Sequence, residues 1–156
     1  MADTIREKII QDAMTRVASI LTTNGYNTNI GTNPQRALKT QDEDVIQTVI
    51  VIPRVEATSQ TVSQYGKSIH DFPMDVTGAI AFNQETQDIS VISEQIYGDL
   101  LKAMTNPASK FSTYVEKIVA VGGGGFEIPK NEEKYAGAIA NFEITYKTTV
   151  GDPYSQ

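Results

Sequence analysis

The chain has 156 residues, the size of one ordinary domain and long enough to bury roughly 70% of its unfolded surface in a single core without covalent staples. It holds no cysteine and one histidine, His70, which excludes a disulfide framework, a thiolate metal site and a histidine cluster, and fits a reducing compartment. Nineteen acidic against thirteen basic residues give a net charge of −6, which disfavours tight nonspecific binding to a phosphate backbone but remains compatible with DNA that slides past. No stretch approaches the roughly eighteen apolar residues of a membrane span. Asp3, Arg6, Glu7, Lys8 and Asp12 do not suit a signal peptide, so synthesis in the cytosol is expected.

In chain order, Ile5, Ile9, Ala13, Val17, Ile20 and Leu21 recur at helical spacing and predict a helix over Thr4 to Thr23. Thr4 and Glu7 are placed as a capping box, and Asn24-Gly25 as a stop. The apolar stripe is expected on a sheet, with Arg6, Lys8, Asp12 and Arg16 in water. Tyr26 to Pro34, rich in Asn, Gly and Thr, reads as a turn region feeding a short extended stretch at Gln35 to Lys39; an acidic turn at Gln41 to Asp44 follows. Val45 to Arg54 contains the run Val49 to Ile52, apolar on both faces, as in a strand near the centre of a covered sheet, with Pro53 at its end. Polar Ala57 to Gly66 reads as an exposed loop or hairpin tip.

Phe72 to Phe82 shows a two-residue period, Met74, Val76, Gly78, Ile80 and Phe82 alternating with Asp75, Thr77, Ala79 and Ala81, which predicts a half-buried strand. Ile89, Ile92, Ile96, Leu100 and Met104 predict a second amphipathic helix from about Asp88 to Thr105, closed by Asn106-Pro107. Val115 to Val121 reads as a strand and Gly122 to Tyr135 as a long glycine-rich, charged loop. Ala136 to Val150 predicts the last strand, with Ala138, Ala140, Phe142, Ile144 and Tyr146 on one face and Asn141, Glu143, Thr145 and Lys147 on the other. No internal repeat or linker divides the chain. The order predicts a single α+β two-layer domain over residues 1–150: a mixed or antiparallel sheet with two amphipathic helices packed on one face. Residues 151–156 form a polar tail. The uncovered face of such a sheet must meet something.

Chemistry finds little support. Gly122 to Gly125 is not followed by Gly-Lys-Ser/Thr, and position 127 is Glu where a dinucleotide fingerprint would place its third glycine, so a flexible loop is expected there. His70 and Asp71, as strand neighbours, would point to opposite faces. Asp42, Glu43 and Asp44 lack the alternating oxygen ligands and glycine of a calcium loop and read as a solvated turn. Ser19, Ser59, Ser63, Ser90 and Ser93 lack the surroundings of a hydrolase elbow. No catalytic, cofactor-binding or metal-ligating residue is nominated, and no enzymatic activity is expected. The two long polar loops, Ala57 to Gly66 and Gly122 to Tyr135, are of a length that usually acts or becomes ordered on a partner.

Three stretches together resemble the phage tail terminator proteins, the small subunits that close the head-proximal end of a tail tube. They are Thr4 to Ile10 leading to Asn24 to Gly31, then Val115 to Pro129, then Phe142 to Lys147 ending in Gly151-Asp-Pro-Tyr-Ser-Gln156. The resemblance implies a non-enzymatic virion protein forming a ring, hexameric in that family's manner, stacked on the last ring of tail tube protein. Such a ring ends tube polymerisation, joins the tail to head-completion proteins at the neck and, in a contractile tail, holds the upper end of the sheath. DNA would pass through the lumen without specific binding, kept from sticking by acidic side chains. The expected location is the virion tail, with the host cytoplasm during assembly. Ring closure needs a heterologous, head-to-tail interface. Val150 to Gln156 is expected to pack on the neighbouring subunit, with Pro153 stiffening the segment and Tyr154 as aromatic anchor; Asp152, Gly123, Gly124 and Phe126 complete the expected interface residues. The alternatives are a head-completion or neck protein, a tube subunit, or a small-ligand-binding α/β domain using the Gly122 loop.

Overall fold

A computed structural model describes the chain except residues 1, 37–46, 55–58, 63–64, 83–85, 107–110 and 131–132; for residues 47, 59, 62, 82, 126–130 and 133–134 it describes the backbone alone. Helix α1 runs Ile5–Ala18 and buries Ile5, Ile9, Ile10, Ala13 and Val17. Half of the predicted capping box is present: Thr4 Oγ1 accepts from the Glu7 N–H at 3.1 Å. The Glu7 carboxylate turns instead to Arg36, which meets both of its oxygens. The helix is shorter than its periodicity suggests. It ends at Ser19, whose N–H bonds the Arg16 carbonyl; Ile20, whose N–H bonds Val17, stays in the core from outside the helix. Gly25, at φ 81°, closes the single 3₁₀ turn Thr22–Asn24 that follows.

The strands are β1 (Pro34–Arg36), β2 (Gln47–Pro53), β3 (Ser59–Val62), β4 (Lys67–Phe82), β5 (Val115–Lys130) and β6 (Glu133–Thr149); helix α2 (Ile89–Thr105) lies between β4 and β5 in the chain. They form one mixed sheet in the order β1-β2-β4-β6-β5, with β3 paired to β4 beyond the end of β2. The β1–β2 pair is parallel, and every other pair is antiparallel. At the centre, β4 and β6 pair along their whole length, from Lys67 opposite Thr149 to Phe82 opposite Lys134. The fold is α+β, as the order of elements predicts.

The two-residue period of β4 and β6 divides the sheet into two faces. Phe72, Met74 and Val76 with Ala138, Ala140, Phe142 and Ile144 are fully buried on one. Both helices pack there, since Arg6 of α1 covers the Phe72 ring and Ile96 and Leu100 of α2 press against Gly78. Each fully buried side chain of this size contributes about 1.5–3 kcal/mol. Asp71, Asp75, Asn141, Glu143 and Thr145 occupy the other face, which no helix covers.

Several expectations are corrected. Gly122 to Tyr135 is not a loop: β5 continues through the glycines to Lys130 and β6 starts at Glu133. Two of the glycines are there for close packing, because a Cβ on Gly125 would lie 2.6 Å from Ser93 Cβ and one on Gly123 2.8 Å from the Tyr97 ring, both on α2. Ala57 to Gly66 contains β3 on the edge of β4, and its residues 57–58 and 63–64 lie outside the described ones. Among the described side chains of β2, Val49 and Val51 are buried; Ile50 and Ile52, on the open face, are partly exposed, because the two helices cover the other side. The extended stretch at Gln35 to Lys39 is described as far as Arg36, and the acidic turn at Gln41 to Asp44 lies outside the described residues. Arg6, Lys8 and Arg16 do not simply stand in water. Their cations lie 4.6, 5.2 and 5.5 Å from the ring centres of Phe72, Tyr114 and Phe111, where the aromatic face replaces part of their hydration.

Candidate interaction surface

The open face is built from alternate residues of β2, β4, β6 and β5, and its polar side chains hold one another across the strands. Asn141 Nδ2 donates to Asp75 Oδ1 at 2.6 Å, and Arg54 meets the other Asp75 oxygen at 3.0 Å. Thr145 donates its hydroxyl to Asp71, and Lys147 lies 3.4 Å from Glu116. Partly buried Ile50, Ile52, Ile69 and Ile139 flank this ladder. These carboxylates serve as acceptors for fixed neighbours. Among the described residues, no three His, Cys, Asp or Glu side chains gather as a metal site would require.

At the end of the sheet where β4 begins and β6 ends, the segment 150–156 doubles back on its own chain. Gly151, at φ 76°, makes the reversal. Val150 N–H donates to the Gly66 carbonyl, Asp152 N–H to Thr149, and Thr149 N–H to Ser155, all at 2.9–3.0 Å. The Asp152 carboxylate accepts from Tyr154 N–H and Ser155 Oγ, which holds its pKa below the usual carboxylate value. Pro153 contributes its carbonyl, accepting from Ile5 N–H at the start of α1 at 2.9 Å, so this segment satisfies one of the donors that a helix N-terminus leaves open. Tyr154 is about half exposed.

The expected interface residues therefore fall in two places. Asp152, Pro153 and Tyr154 lie at this end. Gly123, Gly124 and Phe126 lie on β5, opposite Ala140, Ile139 and Gly137 of β6. About nine strand residues, roughly 30 Å, separate the two groups along β6. Gly123 has its helix-facing side filled by α2, whereas a Cβ on Gly124 would meet nothing within 4 Å. The outer edge of β5 is unpaired among the described residues, and the ladder slips twice along it, between Val115 and Lys117 and between Ala120 and Gly122. One exposed residue beside the first group was missed: Tyr65, hidden by a polar run whose composition reads as loop.

His70 and Asp71 take opposite faces, as strand neighbours must, with Asp71 on Thr145. His70 stacks on Tyr146 with ring centres 4.8 Å apart, and its Nε2 shares a 2.8 Å hydrogen bond with Thr148 Oγ1. Burial, then the nearby Arg6 charge, hold its pKa below the ordinary histidine value; Asp71 works the other way. The neutral ring thus serves the packing at this end of the sheet. An open depression of about 450 Å³ beside the first turns of α2 is lined by Asn27, Ser90, Val91, Glu94 and Gln95. Asp88 already caps that helix through Ser90 N–H, so the donor an anion would seek there is taken. No protein-family model matches the chain, and no curated protein matches it.

Proposed function

We propose that the chain is a structural virion protein that closes the head-proximal end of a phage tail tube as a ring, a tail terminator. The observation that supports it most is the one-sided sheet: six strands with both helices on one face, the other carrying isoleucines around a ladder of mutually held polar groups. A face of that kind suits contact with protein better than capture of a small molecule, because Asp71, Asp75, Asn141 and Thr145 already have partners while the isoleucines beside them are partly exposed. The resemblance in three stretches says which contact is meant. In this reading the copies form a hexameric ring that stacks on the tube protein, stops its polymerisation, and presents its far side to the head-completion protein, with the sheath attached as well where the tail contracts. DNA passes through the lumen, and the net charge of −6 is of the sign that lets it pass. The chain has no enzymatic role and needs no cofactor in this reading. The ligand-binding alternative draws less support, since the glycine run it would use lies in a strand, with Gly123 and Gly125 against α2.

Negative-stain imaging of the purified protein, alone and mixed with polymerised tube protein, tests the proposal. Rings of six-fold symmetry seated on one end of the tube are the expected result. Tubes that keep growing in its presence, with free ends bare, would overturn the assignment. Rings that bind the head-side connector but never the tube would move the chain to the neck.

A further inference from the structure

Six large apolar side chains stand exposed among the described residues, and five of them gather in two places. Tyr65, Val150 and Tyr154 share the end of the sheet where β4 begins and β6 ends. Val150 is bonded to Gly66, the residue after Tyr65, and Thr149 to Ser155, the residue after Tyr154. Tyr65 is 90% exposed and Tyr154 48%. The second place is the unpaired edge of β5, where Val119 and the bulged Val121, 56% exposed, precede Gly122 to Gly125. The first patch projects two aromatic side chains. The second is a strand edge stripped of them, open to close approach at Gly124. Val119 lies opposite Glu143, so the patches are roughly 20 Å apart along β6 and share no residue.

We infer that the Tyr65, Val150 and Tyr154 end of one copy docks on the Val119 to Gly125 edge of the next. Each patch is left uncovered in a single copy, and one contact repeated between copies covers both. The first side carries Asp152 and Lys67, which is held on Thr149 Oγ1, and the second Lys117 and Glu143, which lies opposite Val119, so each brings one acidic and one basic group to meet its opposite; Lys147 is held on Glu116. Tyrosines seated against backbone are the kind of anchor that dominates interface energy. A contact between two different patches is head-to-tail, and it closes into a ring when the rotation per copy divides a full turn. The inference rests on the assembly reading above and names the surfaces through which copies meet.

The chain has no cysteine, so Tyr65→Cys and Val121→Cys placed together report this contact directly. Oxidation is expected to give a ladder of linked dimers, trimers and larger species on a nonreducing gel, with neither single variant linking to itself. Independently, the double variant Tyr65→Ser with Tyr154→Ser, and separately Val121→Asp, should each weaken self-association about 30-fold or more, read by sedimentation velocity with unchanged melting curves as the folding control. Mixing these two variants restores one contact and gives dimers and nothing larger. Rings that persist in both variants, or Tyr65→Cys linking to itself as readily as to Val121→Cys, overturn the inference and leave the ring reading standing. A wild-type chain that stays monomeric at every concentration and on the tube overturns both. Rings held by these patches that never seat on a tube support the inference and overturn only the tail assignment.

Discussion

Asp99 is 1% exposed in the middle of α2, and its carboxylate is held by donors from a segment more than seventy residues earlier. Asn27 donates its backbone N–H and Nδ2, and Thr28 its N–H and Oγ1, at 2.8–3.1 Å. A buried carboxylate is tolerable only with such a set, which here also ties α2 to the turn after α1. Asp99→Ala leaves several buried donors unpaired, so a loss of about 3–5 kcal/mol is expected. Asp99→Asn keeps the shape but turns one acceptor into a donor facing donors, and should lose less. Urea unfolding of both variants checks this; a loss under about 1 kcal/mol for Asp99→Ala would refute the account. This tie was not legible in the chain itself. Asp99 precedes Leu100 in the apolar stripe, and its partners Asn27 and Thr28 lie too far off in sequence for local spacing to point to them. Met74, Val76, Phe142 and Ile144 were legible, since a two-residue period depends only on the strand they stand in.

At the scale of the element, the glycine run separates what composition says from what packing does. Four glycines carry no side-chain pattern, so periodicity is silent across Gly122 to Gly125 and the stretch reads as a loop. In the fold, β6 supplies the backbone partners and α2 fills the missing side-chain volume, so the stretch is a strand. The four positions are then unequal. Gly123 has φ 140°, and a Cβ there would lie 2.2 Å from the Ile139 carbonyl oxygen, which is backbone and cannot swing aside. Gly123→Ala is expected to lower stability by about 3 kcal/mol or more, Gly125→Ala by about 1–3 kcal/mol because the Ser93 Cβ it would meet is fixed to the α2 backbone and the helix must give way, and Gly124→Ala by no more than about 0.5 kcal/mol. Thermal melts of the three variants decide the matter: equal losses at Gly123 and Gly124 would show that the run is not seated under α2. The helices were legible within a few residues, because capping and apolar spacing are local. Only the last turn of α1 was overcalled, where Ile20 keeps its burial without helical backbone.

For the whole molecule, the two-layer arrangement follows from counting apolar faces. Each helix has one stripe and the long strands one largely apolar side, so both helices share it. The strand order was not legible. That β6 lies between β4 and β5, and that β1 runs parallel to β2, depends on closures that no local pattern encodes. The two-part layout of the exposed apolar residues was half legible: the closing segment drew attention through Tyr154, while Tyr65 and the β5 edge needed the fold to bring them into view. The central ladder between β4 and β6 has a consequence in time rather than in space. Its paired residues are roughly 50 to 80 positions apart, whereas β5 and β6 are joined at Lys130 and Glu133 and meet across a short connection. Loop closure favours the near pair, so the β5–β6 hairpin should form early and then serve as the template on which β4 closes, with β2 adding last. Buried Val115 on β5 and Val51 on β2 report the two stages. Val115→Ala is expected to slow refolding in stopped-flow measurements, and Val51→Ala chiefly to speed unfolding; the reverse pattern would place the nucleus at the other side of the sheet. The longest strand pair in the protein would then be a late event in its folding, and the sheet would grow inward from its own free edge.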